Sequence, residues 1–141
     1  MRAELILLPM IAQMLLTFAV WLLLYRVRIG GMKRARIHPQ RMATRAQKAE
    51  VTISQAEQQV SDNFMNLFEL PVIFYALCLT LYVTGLATMI EVVLAWLFVA
   101  ARALHTFIHV SYNRVVHRFL AYLAGGLLLL ALLLRTGWSL L

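Results

Sequence analysis

Leu5 to Tyr25 is a run of 21 residues without a charged side chain, and Leu70 to Ile90 is a second run of the same length. A helix rises about 1.5 Å per residue, so roughly 20 such residues cross the ~30 Å hydrocarbon layer of a bilayer. Few chains other than membrane proteins carry two. Composition agrees: 62% of the residues are hydrophobic and 13% charged, against roughly 45–50% and about 25% in a soluble domain. Phe119 to Leu134 is a third apolar run, closed by Arg118 and Arg135, and Met89 to Tyr112 is a fourth, interrupted by Arg102, His105 and His109. The chain reads as all-α: a bundle of four transmembrane helices, over about 4–26, 46–83, 89–112 and 116–138, forming one membrane domain over 1–141.

The first run is too long for the apolar part of a signal peptide, and no small-residue cleavage site follows it, so it is expected to stay in the mature chain. Cys78, the one cysteine, lies inside the second span and reads as packing. Net charge is +7, and eight basic residues with no acidic one lie between Arg26 and Lys48. Arg114 and Arg118 lie between spans three and four, whereas the turn near Thr84 to Glu91 has no Lys or Arg. The positive-inside rule therefore predicts cytoplasmic first and third loops and both termini outside, in the inner membrane if the chain is bacterial. Topology and anionic lipid headgroups account for the basic loop, and nucleic acid is not expected as a partner.

Gly30-Gly31 and Pro39 predict a basic cytoplasmic loop over about 27–45. The second helix then extends into the cytoplasm before entering lipid, with a kink near Pro71. Gln55, Gln59, Asp62, Asn66 and Glu69 recur along it at helical spacing. Thr84-Gly85 and Asn113 mark short turns, and Gly125-Gly126 permits close helix approach.

Helix three carries its own polar face: Arg102, His105, His109 and Tyr112. Counted from the turn that helices two and three share, Glu69 and Arg102 lie roughly 22 and 21 Å inward. The same count sets Asn66 beside His105 at roughly 26 Å and Asp62 beside His109 at roughly 32 Å. An unpaired charge at such depth costs at least about 2.5 kcal/mol, which predicts a Glu69–Arg102 pair within one subunit or across a subunit boundary.

The "NLFELP" of Asn66 to Pro71 and the "RALHTFIHVSYNRVVHRF" of Arg102 to Phe119 resemble the membrane-associated proteins in eicosanoid and glutathione metabolism, the MAPEG family. The likeness covers essentially the whole chain. It implies a homotrimer with sites between subunits on the cytoplasmic side, glutathione as cofactor, and a transferase or peroxidase activity on lipophilic electrophiles. By the same resemblance Asn66 and Glu69 match positions that contact glutathione, Arg102 and His105 match the start of the helix-three motif, and Arg118 matches the arginine that stabilises the thiolate.

Asp62 and Met65 stand where glutathione-using members have arginine, His109 stands in place of a tyrosine, and Phe119 in place of a serine. The candidate cofactor-binding residues are therefore Asn66, Glu69, Arg102, His105, Asp62, His109 and Tyr112, with Arg118 as the catalytic candidate and Arg41, Arg45 or Lys48 as replacements for the lost arginine. The alternative is a non-catalytic or glutathione-independent member that binds a small lipid-like ligand between helices. Haem or metal ligation by His105 and His109 is a weak third reading, because one helix face does not supply axial ligands on opposite sides of a haem, and no metal is expected. Trp21, Tyr25, Tyr112 and Trp138 fit an interfacial aromatic belt in contact with membrane lipids.

Overall fold

A computed structural model of the chain describes residues 3–44 and 53–141. A 3-10 turn, Ala3–Ile6, leads into α1 (Leu7–Arg34), and a second, Pro39–Met42, follows it. The other helices are α2 (Gln55–Asn66), α3 (Leu70–Thr84), α4 (Met89–Val110) and α5 (Val115–Ser139), with no strand among the described residues. Four stretches are long and apolar enough to cross a membrane: Ala3–Arg34, Gln55–Thr84, Met89–Val110 and Val115–Ser139. This is a multi-pass membrane protein. Residues 46–52, where the second helix was expected to begin, and Arg45 and Lys48 lie outside the described residues.

α1 runs on to Arg34, straight through Gly30-Gly31, where the sequence predicts a loop. Each helical glycine costs about 1 kcal/mol relative to alanine, so packing must offset it. Arg28 Nε donates to Glu57 Oε1 of α2 at 3.2 Å, and a Cβ at Gly31 would stand 3.5 Å from Glu57 Oε2. The small residues let the buried carboxylate lie against the helix. The chain turns only beyond α1, at Arg36, with φ 52°.

Helix two breaks once. Pro71 has no N–H to donate, and Glu69 adopts φ −91°, ψ −98°, so α2 stops at Asn66 and α3 starts at Leu70. Ser54 caps α2 by accepting from the Glu57 N–H at 3.2 Å. Gly85, at φ 70°, ends α3, and α4 opens with a capping box between Thr88 and Glu91. Asn113, at φ 47°, makes the tight turn before α5.

α5 packs along α4, with Glu91 meeting Arg135 at 2.8 Å, and α2 packs along α1, with Glu57 meeting Arg28 at 3.2 Å, while Phe74 of α3 stacks on Phe98 of α4 at 4.5 Å. Phe74, Phe98, Leu81, Ala95, Leu132 and Cys78 pack in one buried apolar layer. A second, smaller layer of Val20, Leu24, Val60 and Leu67 lies toward the basic end. Between them α5 comes close to α4 at Gly125, where an added Cβ would lie 3.6 Å from Ala101 Cβ and 3.7 Å from Arg102 Cδ. Gly125→Ala is therefore expected to stabilise the protein by about 0.5–1 kcal/mol, since the Cβ fits and a helical glycine is removed, and Gly125→Leu to cost about 1–3 kcal/mol by overpacking. Melting both variants in detergent checks the contrast, and equal melting would refute it.

Candidate functional site

The break in helix two builds the site. α2 ends at Asn66, so the Asn66 carbonyl has no place in a continuing helical ladder, and Arg102 Nη2 of α4 donates to it at 3.0 Å. Arg102 is 0% exposed, and its Nε and Nη1 have no partner among the described residues. Its guanidinium carbon lies 5.4 Å from the ring centre of Tyr122 on α5, within cation–π range. The Tyr122 hydroxyl in turn donates to Glu69 Oε2 at 3.0 Å.

The expected Glu69–Arg102 ion pair does not form within the chain: the two ion pairs among the described residues are Arg28–Glu57 and Arg135–Glu91. Tyr122 stands in between, bonded to the acid and under the cation. The depth count put the two charges at one level but could not show a phenol from another helix.

One turn nearer the basic end, α4 grips Arg118 of α5. His105 Nδ1 pairs with the Arg118 carbonyl at 3.0 Å, and Arg118 Nη1 pairs with His109 Nε2 at 2.8 Å and with Asn113 Oδ1 at 2.9 Å. The His105 and His109 rings meet edge to face at 5.5 Å. Both histidines are buried, and His105 Nε2 and His109 Nδ1 have no partner among the described residues. Asn66, His105, Val115, Arg118, Phe119 and Tyr122 line a pocket of about 180 Å³. Val115 and Phe119 are 65% and 58% exposed, so its outer rim is apolar.

A match to the MAPEG family model runs over residues 6–138, nearly the whole chain. The chain belongs to the MAPEG family. No curated protein and no solved structure matches it. Of the residues singled out in this MAPEG sequence, Asn66, Glu69, Arg102, His105, His109 and Arg118 come together around Tyr122 or the Arg118 grip. Asp62 and Tyr112 do not.

Asp62 is exposed on α2, beside Ile53, Glu57, Gln58 and Ser61, not beside His109 as the depth count implied. That count assumed one continuous helix from Thr84. The break at Leu67–Glu69 turns α2, so its buried face is Glu57, Val60 and Asn63, and Thr106 Oγ1 donates to Asn63 Oδ1 at 3.4 Å. Tyr112 is exposed too, its hydroxyl 3.1 Å from His117 Nδ1. Among the described residues, no group of three or more His, Cys, Asp or Glu side chains could hold a metal ion.

Tyr122 was missed, and Asn113 was read only as a turn, not as a partner of Arg118. A signal for Tyr122 existed: it lies four residues after Arg118 and three before Gly125, on the face that α5 turns to α4.

Proposed function

We propose that this MAPEG protein is a divergent glutathione transferase or peroxidase that acts on lipophilic electrophiles at the cytoplasmic side of the membrane. One observation carries the reading: two guanidinium groups, Arg102 and Arg118, have no carboxylate within ion-pair distance among the described residues. A cation buried in a membrane-spanning bundle, as Arg102 is, costs on the order of 2.5 kcal/mol at mid-bilayer, and the partly buried Arg118 adds a second positive charge beside it; an anionic ligand offsets both.

The donor set fits glutathione, a tripeptide with two carboxylates, an ammonium and a thiol. Two guanidiniums against one Glu69 carboxylate give the site a net charge of about +1, opposite to that of the ligand at neutral pH. Bound glutathione supplies the nucleophilic thiol. Arg118, which lines the pocket, lowers the pKa of that thiol as a neighbouring cation does. Glu69 accepts from the ammonium. Arg102 lies behind the pocket wall and acts through its field and by holding the end of α2.

A pocket of about 180 Å³ is smaller than the roughly 300–1,000 Å³ of ordinary ligand sites. A second copy of the chain completes the wall in the homotrimer that family membership suggests, and the apolar rim of Val115 and Phe119 admits the electrophile from lipid.

Isothermal titration of the detergent-purified protein with glutathione tests the binding step. Heat and thermal stabilisation at millimolar ligand are expected, with Glu69→Gln roughly tenfold weaker through loss of one charge-assisted hydrogen bond. Neither heat nor stabilisation in the wild type would overturn the reading. A second reading, a glutathione-independent protein holding a lipid-like ligand, is favoured by a groove of about 420 Å³ lined by Met14, Phe18, Trp21, Phe64, Phe68 and Tyr75. Co-purified lipid in that groove, with activity indifferent to thiols, would support it instead.

A further inference from the structure

The groups that hold Arg118 suit one purpose, and its catalytic meaning rests on the glutathione reading above. A guanidinium has five N–H donors. Both hydrogens of Arg118 Nη1 are engaged, by His109 Nε2 at 2.8 Å and by Asn113 Oδ1 at 2.9 Å. Because arginine only donates, His109 Nε2 is the unprotonated nitrogen, and the ring is neutral with its proton on Nδ1. That Nδ1 is buried without a partner among the described residues. The ring forgoes a hydrogen bond on one side in order to accept on the other.

The main chain of the same residue is fixed as well. The Arg118 carbonyl can only accept, so His105 donates to it from Nδ1 at 3.0 Å. Asn113 is itself set by its left-handed turn, with its N–H on the Ile108 carbonyl at 2.8 Å. An aspartate or glutamate in place of either acceptor would hold the arginine more tightly and cancel its charge.

We propose that His109 and Asn113 are positioning residues: two neutral acceptors lock the Arg118 guanidinium at the pocket, leaving its charge whole and three N–H donors for an anionic sulfur. The clamp assigns His109 a task apart from ligand contact. His109 acts through Arg118, and so does Asn113.

Two readouts on the full-length protein in detergent test this. In ¹⁵N NMR the Arg118 guanidinium, assigned by its loss in Arg118→Lys, should rotate slowly in the wild type and in His109→Gln, whose amide oxygen restores an acceptor. Rotation should be fast in His109→Leu and in Asn113→Gly, glycine being the residue that keeps the left-handed backbone while deleting the acceptor. The ultraviolet absorbance of the glutathione thiolate, followed against pH, should keep the same order. Roughly tenfold less thiolate at a given pH is expected in His109→Leu and Asn113→Gly, a change of about one unit in the thiol pKa, with His109→Gln close to wild type.

Equal rotation in the wild type, His109→Leu and Asn113→Gly overturns the clamp whatever glutathione does. Rotation that is freed while the thiolate fraction stays constant overturns the positioning role. Rotation freed as expected, with no glutathione bound by the wild type, upholds the clamp and overturns the glutathione reading. If His109→Leu fails to fold, Asn113→Gly decides alone.

Discussion

Arg118→Met is expected to lower glutathione-dependent turnover by roughly 100- to 1,000-fold, about 3–4 kcal/mol of transition-state stabilisation, while the affinity for glutathione falls far less. Of the six residues lining the pocket, Arg118 is the one whose side chain carries a permanent charge. Methionine keeps the length and apolar stem of the side chain and removes the cation. Arg102 supplies field but lies behind the wall, so it does not replace what is lost. Arg118→Lys should fall between, because an ammonium keeps a point charge but not the planar fork that meets His109 and Asn113 while donating elsewhere. Steady-state rates with an aryl chloride acceptor, beside calorimetric Kd values, separate the two terms. Turnover equal to wild type in Arg118→Met would remove this residue from the catalytic machinery.

The second large effect is expected at the opposite end of the bundle and concerns stability alone. Glu91 is 1% exposed and accepts from Arg135 Nε at 2.8 Å, from the Thr88 N–H at 2.9 Å and from the Thr88 hydroxyl. It closes the α4 capping box and ties α4 to α5 with the same carboxylate. Glu91→Ala removes both at once and should destabilise the protein by about 3 kcal/mol, the scale for breaking a buried pair. Arg135 is 43% exposed and can return to water, so Arg135→Gln should cost about 1 kcal/mol or less. Thermal melting in detergent distinguishes the two, and equal losses would show that the capping box adds nothing beyond the ion pair. Any glutathione binding should survive Arg135→Gln, since the Arg118 pocket lies several helical turns away along α5.

Much of the architecture was legible before any coordinates. The four spans, the turns at Gly85 and Asn113, the close approach at Gly125 and the disturbance at Pro71 all follow from single residues or short runs whose physics is local. The end of α1 was not legible, because Gly30-Gly31 reads as a breaker until Glu57, 26 residues after Gly31, is seen packed against it. Of the polar groups that gather around Tyr122 and Arg118, the sequence reading named most of the charged and imidazole ones and misjudged their partners within one chain. Glu69 was matched with Arg102, yet each has a different neighbour: the Tyr122 hydroxyl for one, the Asn66 carbonyl for the other.

From the amino acids alone came the membrane crossings, the side of the bundle that carries the basic charge, and the level at which polar groups of the second and third spans gather. Hydrocarbon imposes a length on every apolar run and a penalty on every buried charge, and both can be counted residue by residue. Only the folded chain decided which atoms meet. The proline break turns α2 so that Asn63 faces α4 and Asp62 does not, and it releases a backbone carbonyl that takes Arg102. α5 then brings Tyr122 between acid and base and sets Arg118 against two neutral acceptors. Pairing of this kind depends on how helices rotate about one another, and a rotation is a property of the packed bundle that no single stretch of sequence contains.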